Sequence, residues 1–350
     1  MVIVTEGHAK IRVQKPGKIS KEMPVFYNPV MSLNRDISIL LLNSINKNSM
    51  QIADPLAATG IRSIRFLKEL NKNKIKIICI NDNGKKAVNS IKHNLKLNKI
   101  PINKKIIVSN EDANLFLLKS SGFDYIDIDP FGTPNPFLDA ACKRLARDGI
   151  IAVTATDTSA LCGTFPRACL RKYWAMPKKG AVMHETGLRI LVRKIQLIGA
   201  QYDKALVPIF SYSKEHYMRV FLRNWKGKNR VDEILRQHGV FNDAGPMWLG
   251  RLWDGHLAGI MYKKSLKESY NKELLKFLKL IKDESKINAI GFYDLNGICE
   301  KNNIKDLQKK AAIIGKIRKS GYKASETHFK GEGIRSDMPM AKLVKLLKNK

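Results

Sequence analysis

Phe123-Asp124-Tyr125-Ile126-Asp127-Ile128-Asp129-Pro130-Phe131-Gly132-Thr133-Pro134 is the stretch from which the architecture can be read. Tyr125, Ile126 and Ile128 predict a buried strand, with Asp129 at its carboxyl end and a proline/glycine turn directly behind it. Ligands of open parallel sheets bind at the carboxyl ends of the strands, so Asp129 stands where a reactive carboxylate is presented. Phe131 follows at once, and Gly132 leaves room for a flat partner. An acid acceptor beside an aromatic plate seats the amino group of a nucleobase. The competing reading is a strand-capping aspartate with a core phenylalanine, and the surrounding sequence favours the first.

Outward from this stretch, strand and helix patterns alternate. Residues 50–54 predict the first strand, running into the small-residue loop 55–62 and a helix to about residue 70. The second strand is expected at 76–82, with a helix near 84–98, and the third at 105–108, ending at Asn110-Glu111-Asp112-Ala113. The opening stretch supplies the fourth, followed by a helix over about 135–146, and 149–157 supplies the fifth. Five strands with intervening helices predict a doubly wound α/β sheet. Each crossing carries chemistry. Small residues from Ala57 to Gly60 admit a ligand close to the backbone at a helix N-terminus. Of a G-x-G-x-x-G run only Gly60 is present, which speaks against a dinucleotide. Asp82, ending the second strand, is placed to bind ribose hydroxyls. Asp112, ending the third, is placed with the Ala113 backbone to read an adenine edge. Three acids at consecutive strand ends fit an adenosine ligand without a pyrophosphate, so S-adenosylmethionine is expected rather than NAD. Arg35, just ahead of the first sheet strand, is a candidate ligand clamp or else an ordinary surface residue.

The chain has 350 residues, 63 Lys+Arg against 31 Asp+Glu, and a formal net charge of +32. That imbalance favours a polyanionic partner through phosphate contacts and counterion release. An anionic membrane surface and a lysine-rich proteome are the alternatives. An apolar share of 44% excludes a disordered chain. No apolar run approaches the ~20 residues of a membrane span. The N-terminus lacks the apolar core of a signal peptide, so a cytoplasmic protein with no membrane partner is expected. Five scattered cysteines without C-x-x-C predict reduced, mostly buried thiols rather than disulfides or a cysteine-rich zinc site.

Residues 1–30 predict a small β-structured entry, and 205–223 predict closing strands. The loop 156–163 lies at the same sheet edge as Asp129. His184-Glu185 opens an amphipathic helix; with no second histidine four residues on, a structural or substrate-positioning role is expected. The basic turn Lys226-Gly227-Lys228-Asn229-Arg230 marks a domain boundary. Helices are expected near 268–284, near 303–318 and at the basic C-terminus, with lysine faces able to track a nucleic-acid backbone.

Asp129-Pro130-Phe131-Gly132-Thr133-Pro134 resembles the catalytic motif of the tRNA (guanine-26-N2)-dimethyltransferase family. So do Glu6-Gly7-His8-Ala9-Lys10, Phe26-Tyr27-Asn28-Pro29, Asn34-Arg35-Asp36, Gly60-Ile61-Arg62, Thr156-Asp157 with Leu161-Cys162-Gly163, His184 to Arg189, Gly245 to Gly250 and Ser325 with Thr327-His328-Phe329. The likeness runs in order along nearly the whole chain, and the length looks like an archaeal member. It implies a class I (Rossmann-like) S-adenosylmethionine-dependent methyltransferase domain at 1–228 and a smaller α+β tRNA-binding domain at 229–350. It also implies that Arg35, Arg62, Asp82, Asp112 and Ala113 hold S-adenosylmethionine, and that Asp129, Pro130 and Phe131 seat and activate guanine N2. Some relatives carry a zinc-binding cysteine cluster ahead of the Gly-Pro-x-Trp block. Here 237–244 contains none, so no zinc is expected and packing must replace it. tRNA is the expected partner, with no obligate protein partner. An amino-methyltransferase acting on another base such as adenine N6, or a non-catalytic RNA-binding protein on a degenerate methyltransferase fold, are the alternatives.

Overall fold

The computed structural model describes residues 1–14, 25–268 and 270–348. In chain order the first part comprises β1 (Val2–Glu6), β2 (Ala9–Val13), α1 (Ser32–Ser44), β3 (Met50–Asp54), α2 (Ile61–Glu69), β4 (Ile75–Asn81) and α3 (Lys85–Leu97). It continues through β5 (Ile106–Ser109), α4 (Ala113–Lys119), β6 (Phe123–Ile128), α5 (Asn135–Arg144) and β7 (Leu145–Ala155). Then come α6 (Thr158–Leu161), α7 (Pro166–Tyr173), α8 (Met183–Ala200), β8 (Lys204–Lys214), β9 (Tyr217–Lys226) and α9 (Lys228–Leu235). The chain divides into two compact units. The first is Met1–Thr156, Ile195–Val207 and Arg219–Leu235; the second is Asp157–Lys194, Pro208–Met218 and Arg236–Lys350. The basic turn 226–230 lies inside the first unit.

Seven strands form one sheet in the order β5-β4-β3-β6-β7-β9-β8, with β3 to β7 parallel to one another. The order runs β3-β4-β5 one way and β6-β7 the other, so the topological switch lies between β3 and β6. Ligands bind outside the carboxyl ends of strands at such a point, and here those ends are Asp54 and Asp129. The strands are continuous aliphatic runs, as both faces of a parallel sheet are covered: Ile52, Ile78, Ile80, Ile126 and Ile128 are all fully buried. α3 buries Ala87, Val88, Ile91 and Leu95, one stripe at helical spacing.

Two local departures from the sequence reading have clear causes. The helix expected to 146 stops at Arg144, because Leu145 is extended and pairs with Phe123. The β6–β7 register then slips between Phe123 and Tyr125, so residues 146–149 form a bulge. Asp148 sits there at φ +60°. The short helices α4 and α7 are further elements that the periodicity did not resolve.

In the second unit, β10 (His238–Phe241) and β11 (Ala244–Trp248) form an antiparallel hairpin. The Trp248 indole donates to the Arg251 carbonyl at 2.9 Å, and the His238 ring meets Trp248 edge-on. α10 (Gly255–Ser265) packs with α11 (Lys272–Glu284), which buries Leu274, Phe277, Leu278 and Ile281. β12 (Tyr293–Asp294), α12 (Leu295–Lys301), α13 (Lys310–Lys319), β13 (Ala324–Glu326), β14 (Gly333–Ser336) and α14 (Met340–Lys348) complete the unit. Leu295, Ile298, Ile313, Ile317, Ile334 and Leu343 form their shared core. Among the described residues no helix is long and apolar enough to cross a membrane.

Candidate active site

Side chains of a strand alternate, so Tyr125, Asp127 and Asp129 project from one face of β6. The Asp127 carboxylate is fully buried and is gripped at both oxygens by Arg219 of β9, at 3.0 and 2.7 Å. It also accepts from the Tyr125 hydroxyl at 2.7 Å. Burial alone would raise its pKa, but Arg219 and Arg62 outweigh that and hold it below the usual carboxylate value. Arg219 additionally donates to Thr154 and to Ser38 of α1 at 3.0 and 3.1 Å.

Arg62, in the first turn of α2, occupies the gap between this anchored acid and the strand end. Its Nη1 donates to Asn34 Oδ1 at 3.0 Å and to Ser38 Oγ at 3.2 Å, and lies 3.3 Å from Asp127. Its Nη2 donates to Asp129 Oδ2. Burial opposes its charge, yet Asp127 and Asp129 raise its pKa above the ordinary guanidinium value. Thus one oxygen of Asp129 is fixed, while Oδ1 has no protein partner among the described residues. At the neighbouring strand end Asp54 accepts from Ser63 at 2.7 Å, and burial pushes its pKa to about 7 despite Arg62. A proton held there leaves two buried guanidiniums facing two carboxylates, a balanced interior.

Beyond Asp129 the chain turns outward. Phe131 is 45% exposed, and the edge of Phe26 meets its ring at 4.2 Å between centroids and 77°. Gly132 has φ +77° with open space where a Cβ would sit. The Thr156 hydroxyl accepts from the Gly132 N–H, and the Thr156 N–H donates to the Gly132 carbonyl, which fixes this loop to the end of β7.

Of the predicted cofactor residues, Asp82 lies on the β4–α3 loop and Asp112 and Ala113 at the start of α4, whereas Arg62 lies in α2 and Arg35 in α1. Asp82 accepts from the Ala58 N–H at 2.8 Å and the Gly84 N–H at 2.9 Å, tying the β3–α2 and β4–α3 loops together. Asp112 caps α4 by accepting from Asn114 and Leu115. The Ala113 N–H, first in that helix, has no acceptor among the described residues, as helix geometry dictates. Gly60 turns into α2 at φ +76°. Arg35 lies in a separate ion cluster: Glu6 accepts from its Nε and Nη2, both at 2.6 Å. Its Nη1 lacks a protein acceptor among the described residues. Glu6 also binds Arg65 at 2.9 Å, which in turn holds Asp36 and Glu69, so this cluster fastens the β1–β2 hairpin to α1 and α2.

The family model described as N2,N2-dimethylguanosine tRNA methyltransferase matches residues 7–244 and 237–348. The chain belongs to this family. A relative from Aquifex aeolicus, named tRNA (guanine(26)-N(2)/guanine(27)-N(2))-dimethyltransferase, is 39% identical, with 99% of this chain and 95% of that protein covered. One from Pyrococcus horikoshii, named tRNA (guanine(26)-N(2))-dimethyltransferase, is 38% identical, with 99% and 98% covered. The solved complex of Trm1 from Pyrococcus horikoshii with S-adenosyl-L-methionine matches at a TM-score of 0.90 and 36% identity, over 99% of each chain.

Within this family's fold, several residues of the site were invisible to a reading of single motifs. Asp127 looks like one polar position in an aliphatic strand, and its partner Arg219 lies 92 positions away. Asn81, directly before Asp82, is fully buried and clamps the loops from the side, donating to the Pro55 and Glu111 carbonyls at 3.1 and 2.9 Å. Its signal was an asparagine at the end of an otherwise aliphatic strand. Phe26 was legible only as part of a motif block, with no role attached. Glu185 has a structural role: fully buried, it accepts from Arg189, Arg335 and the Gly291 N–H.

Proposed function

We propose that this protein methylates the exocyclic N2 of guanine 26 in tRNA, adding one or two methyl groups. The observation that carries the reading is Asp129: one oxygen pinned by Arg62, the other open, at the switch point of the sheet and beside the exposed face of Phe131. The family to which the chain belongs supplies the reaction class.

The loops suit S-adenosyl-L-methionine as methyl donor. The left-handed turns at Ala58 and Gly60 bring bare backbone to the strand ends. The Ala113 N–H is positioned for a ring nitrogen of adenine, with Asp112 beside it. Asp82 keeps lone pairs for ribose hydroxyls, and Arg35 Nη1 is the open donor for a carboxylate. Arg62 supports the pocket through Asp129. When bound, the cofactor supplies an electrophilic methyl carbon on a positively charged sulfur.

The chain's own residues must then prepare a poor nucleophile. The N2 lone pair of guanine is delocalised into the ring. Asp129 Oδ1 accepts one N2–H, and the Pro130 carbonyl is the acceptor for the second. Acceptors that draw the two N–H bonds out of the ring plane favour pyramidalisation of the amine and take its lone pair out of conjugation with the ring. As the new C–N bond forms and the methyl–sulfur bond breaks, its electron pair leaving with the neutral thioether S-adenosylhomocysteine, the N2 proton passes to Asp129 and from there to water. Phe131, braced by Phe26, stacks on the base and sets its angle; positioning of this kind is worth effective molarities of ~10⁵ M or more. Extruding the base from a folded RNA costs a few kcal/mol, offset by phosphate contacts from the lysines. We assign tRNA binding chiefly to residues 229–350, activity without an obligate protein partner, and a cytoplasmic location.

Asp129→Asn tests this directly. With unmodified tRNA and labelled cofactor, turnover should fall at least ~10²-fold while both affinities stay within a few-fold of wild type. Label mapping to guanine 26 N2 is expected; near-normal turnover, or label elsewhere, overturns the assignment.

A further inference from the structure

The basic turn 226–230 is absorbed by nothing described above, yet it borders a distinct cleft of about 840 Å³ in the first unit. One wall is the bulge at 146–149, where Arg147 is exposed and Asp148 pairs with Arg223. The other is the end of β9 and the start of α9. Arg223 forms a two-pronged pair with Asp148, at 2.5 and 2.9 Å, and the Asn224 amide donates to the Ala146 carbonyl at 2.8 Å. These contacts make the cleft a built feature. Asp148 is its single carboxylate lining residue, and Arg223 already occupies it. Five cationic side chains line the cleft: Arg223, Arg147, Lys226, Lys228 and Arg230. Of these Arg147, Lys226 and Lys228 are exposed and in no ion pair among the described residues. Trp225, also lining the cleft, is 40% exposed, with the Arg223 and Arg230 guanidiniums over its ring at 5.2 and 5.3 Å.

A large aromatic left in water at a strand end costs solvation, and here it orders two guanidiniums beside an unneutralised cationic rim. That combination matches a phosphodiester backbone with an unstacked base or ribose against the indole. An acidic peptide would be met by the same charges but gains nothing from an aromatic plate ringed by planar cations. The site is remote from the chemistry. β6 runs from Phe123, at the bulge end, to Ile128, so Asp129 just beyond it lies about 20 Å away along the chain.

We propose that the Trp225 cleft is a second RNA-docking site, gripping a backbone segment of the substrate RNA at the sheet edge opposite the methyl-transfer pocket. The proposal rests on the tRNA reading above. It makes the cleft an affinity determinant that leaves the chemical step alone.

The test uses the full chain with Trp225→Ala, Trp225→Phe and a Lys226→Glu/Lys228→Glu double variant. For Trp225→Ala and the double variant, the KM for full-length tRNA should rise about 10-fold or more. Saturated kcat and cofactor affinity should match wild type, which also reports an intact fold. Trp225→Phe should recover most of the loss by retaining a stacking face. The double variant should lower the slope of log affinity against log salt by roughly 1.5, the share of two phosphate contacts. Affinity and slope unchanged within twofold overturn the proposal, as does a loss of binding to anionic phosphatidylserine vesicles with tRNA affinity intact. If wild type methylates tRNA and the variants match it, the cleft assignment alone falls. If wild type methylates no tRNA, the reading beneath it falls first and takes the cleft with it.

Discussion

Asp54 is the residue at which the electrostatics of the site become measurable. Burial raises its pKa to about 7, against the pull of Arg62. The unfolded chain releases this proton near pH 4, whereas the folded chain keeps it to about 7. Protons bound by the native state alone stabilise it where they are bound, so this contribution is full below about pH 4 and declines as pH rises to about 7. Asp54→Asn keeps an acceptor for Ser63 and removes the titration. Its urea unfolding free energy should therefore lose less between pH 5 and pH 8 than wild type does, by a few kcal/mol. Parallel profiles would show that the buried charges balance in another way. At this scale the positions of Asp129, Asp82 and Asp112 were legible because each closes a strand pattern, and that of Phe131 because it stands in the turn directly after Asp129. Asp127 and Arg219 were not, since an ion pair spanning 92 positions leaves no local trace.

Elements were legible where one periodicity holds without interruption. The aliphatic runs at β3, β4 and β6 and the stripes of α2 and α3 fall where the sequence places them. β7 does not, because its first residues pair with β6 across a bulge, and Arg144-Leu145-Ala146-Arg147 reads equally well as the end of a helix. The second unit shows how elements are joined by charge. Arg335 of β14 bridges Glu185 of α8 at 2.6 Å and Glu284 of α11 at 3.0 Å, all three fully buried. Glu284 also takes the His328 ring at 2.5 Å and the Thr327 hydroxyl, also at 2.5 Å. Burial works against Glu185, but Arg335 and Arg189 hold its pKa at about 2. Arg335→Leu would take the shared guanidinium from two buried carboxylates, leaving Glu185 with Arg189 and Glu284 with His328 and Thr327, so unfolding free energy should drop by ~3–5 kcal/mol. Denaturant melts read this, and a loss below ~1 kcal/mol would mean the acids find other partners. The Ser-x-Thr-His-Phe segment is thereby explained as a clamp on α11.

For the whole molecule, the excess of 63 cationic over 31 acidic residues becomes an affinity law. A tRNA engaging six or more of these charges loses ~10³-fold or more in affinity between 50 and 200 mM salt. Filter binding with unmodified tRNA measures the slope, and a nearly flat one would exclude phosphate contacts as the source of binding. Sequence by itself determined the α/β alternation, the acids at the strand ends, the aromatic beside Asp129 and the cationic surplus, because each is a local pattern or a sum over composition. Only the tertiary structure decided that Arg62 braces Asp129, that Arg35 pairs with Glu6 through Nε and Nη2, and that the compact units interleave along the chain. It also placed the turn 226–230, read from sequence as a domain boundary, on the wall of a cleft. These depend on which distant segments share a small buried volume. Pairing buried charges across such distances is a property of the packed molecule and of no single stretch within it.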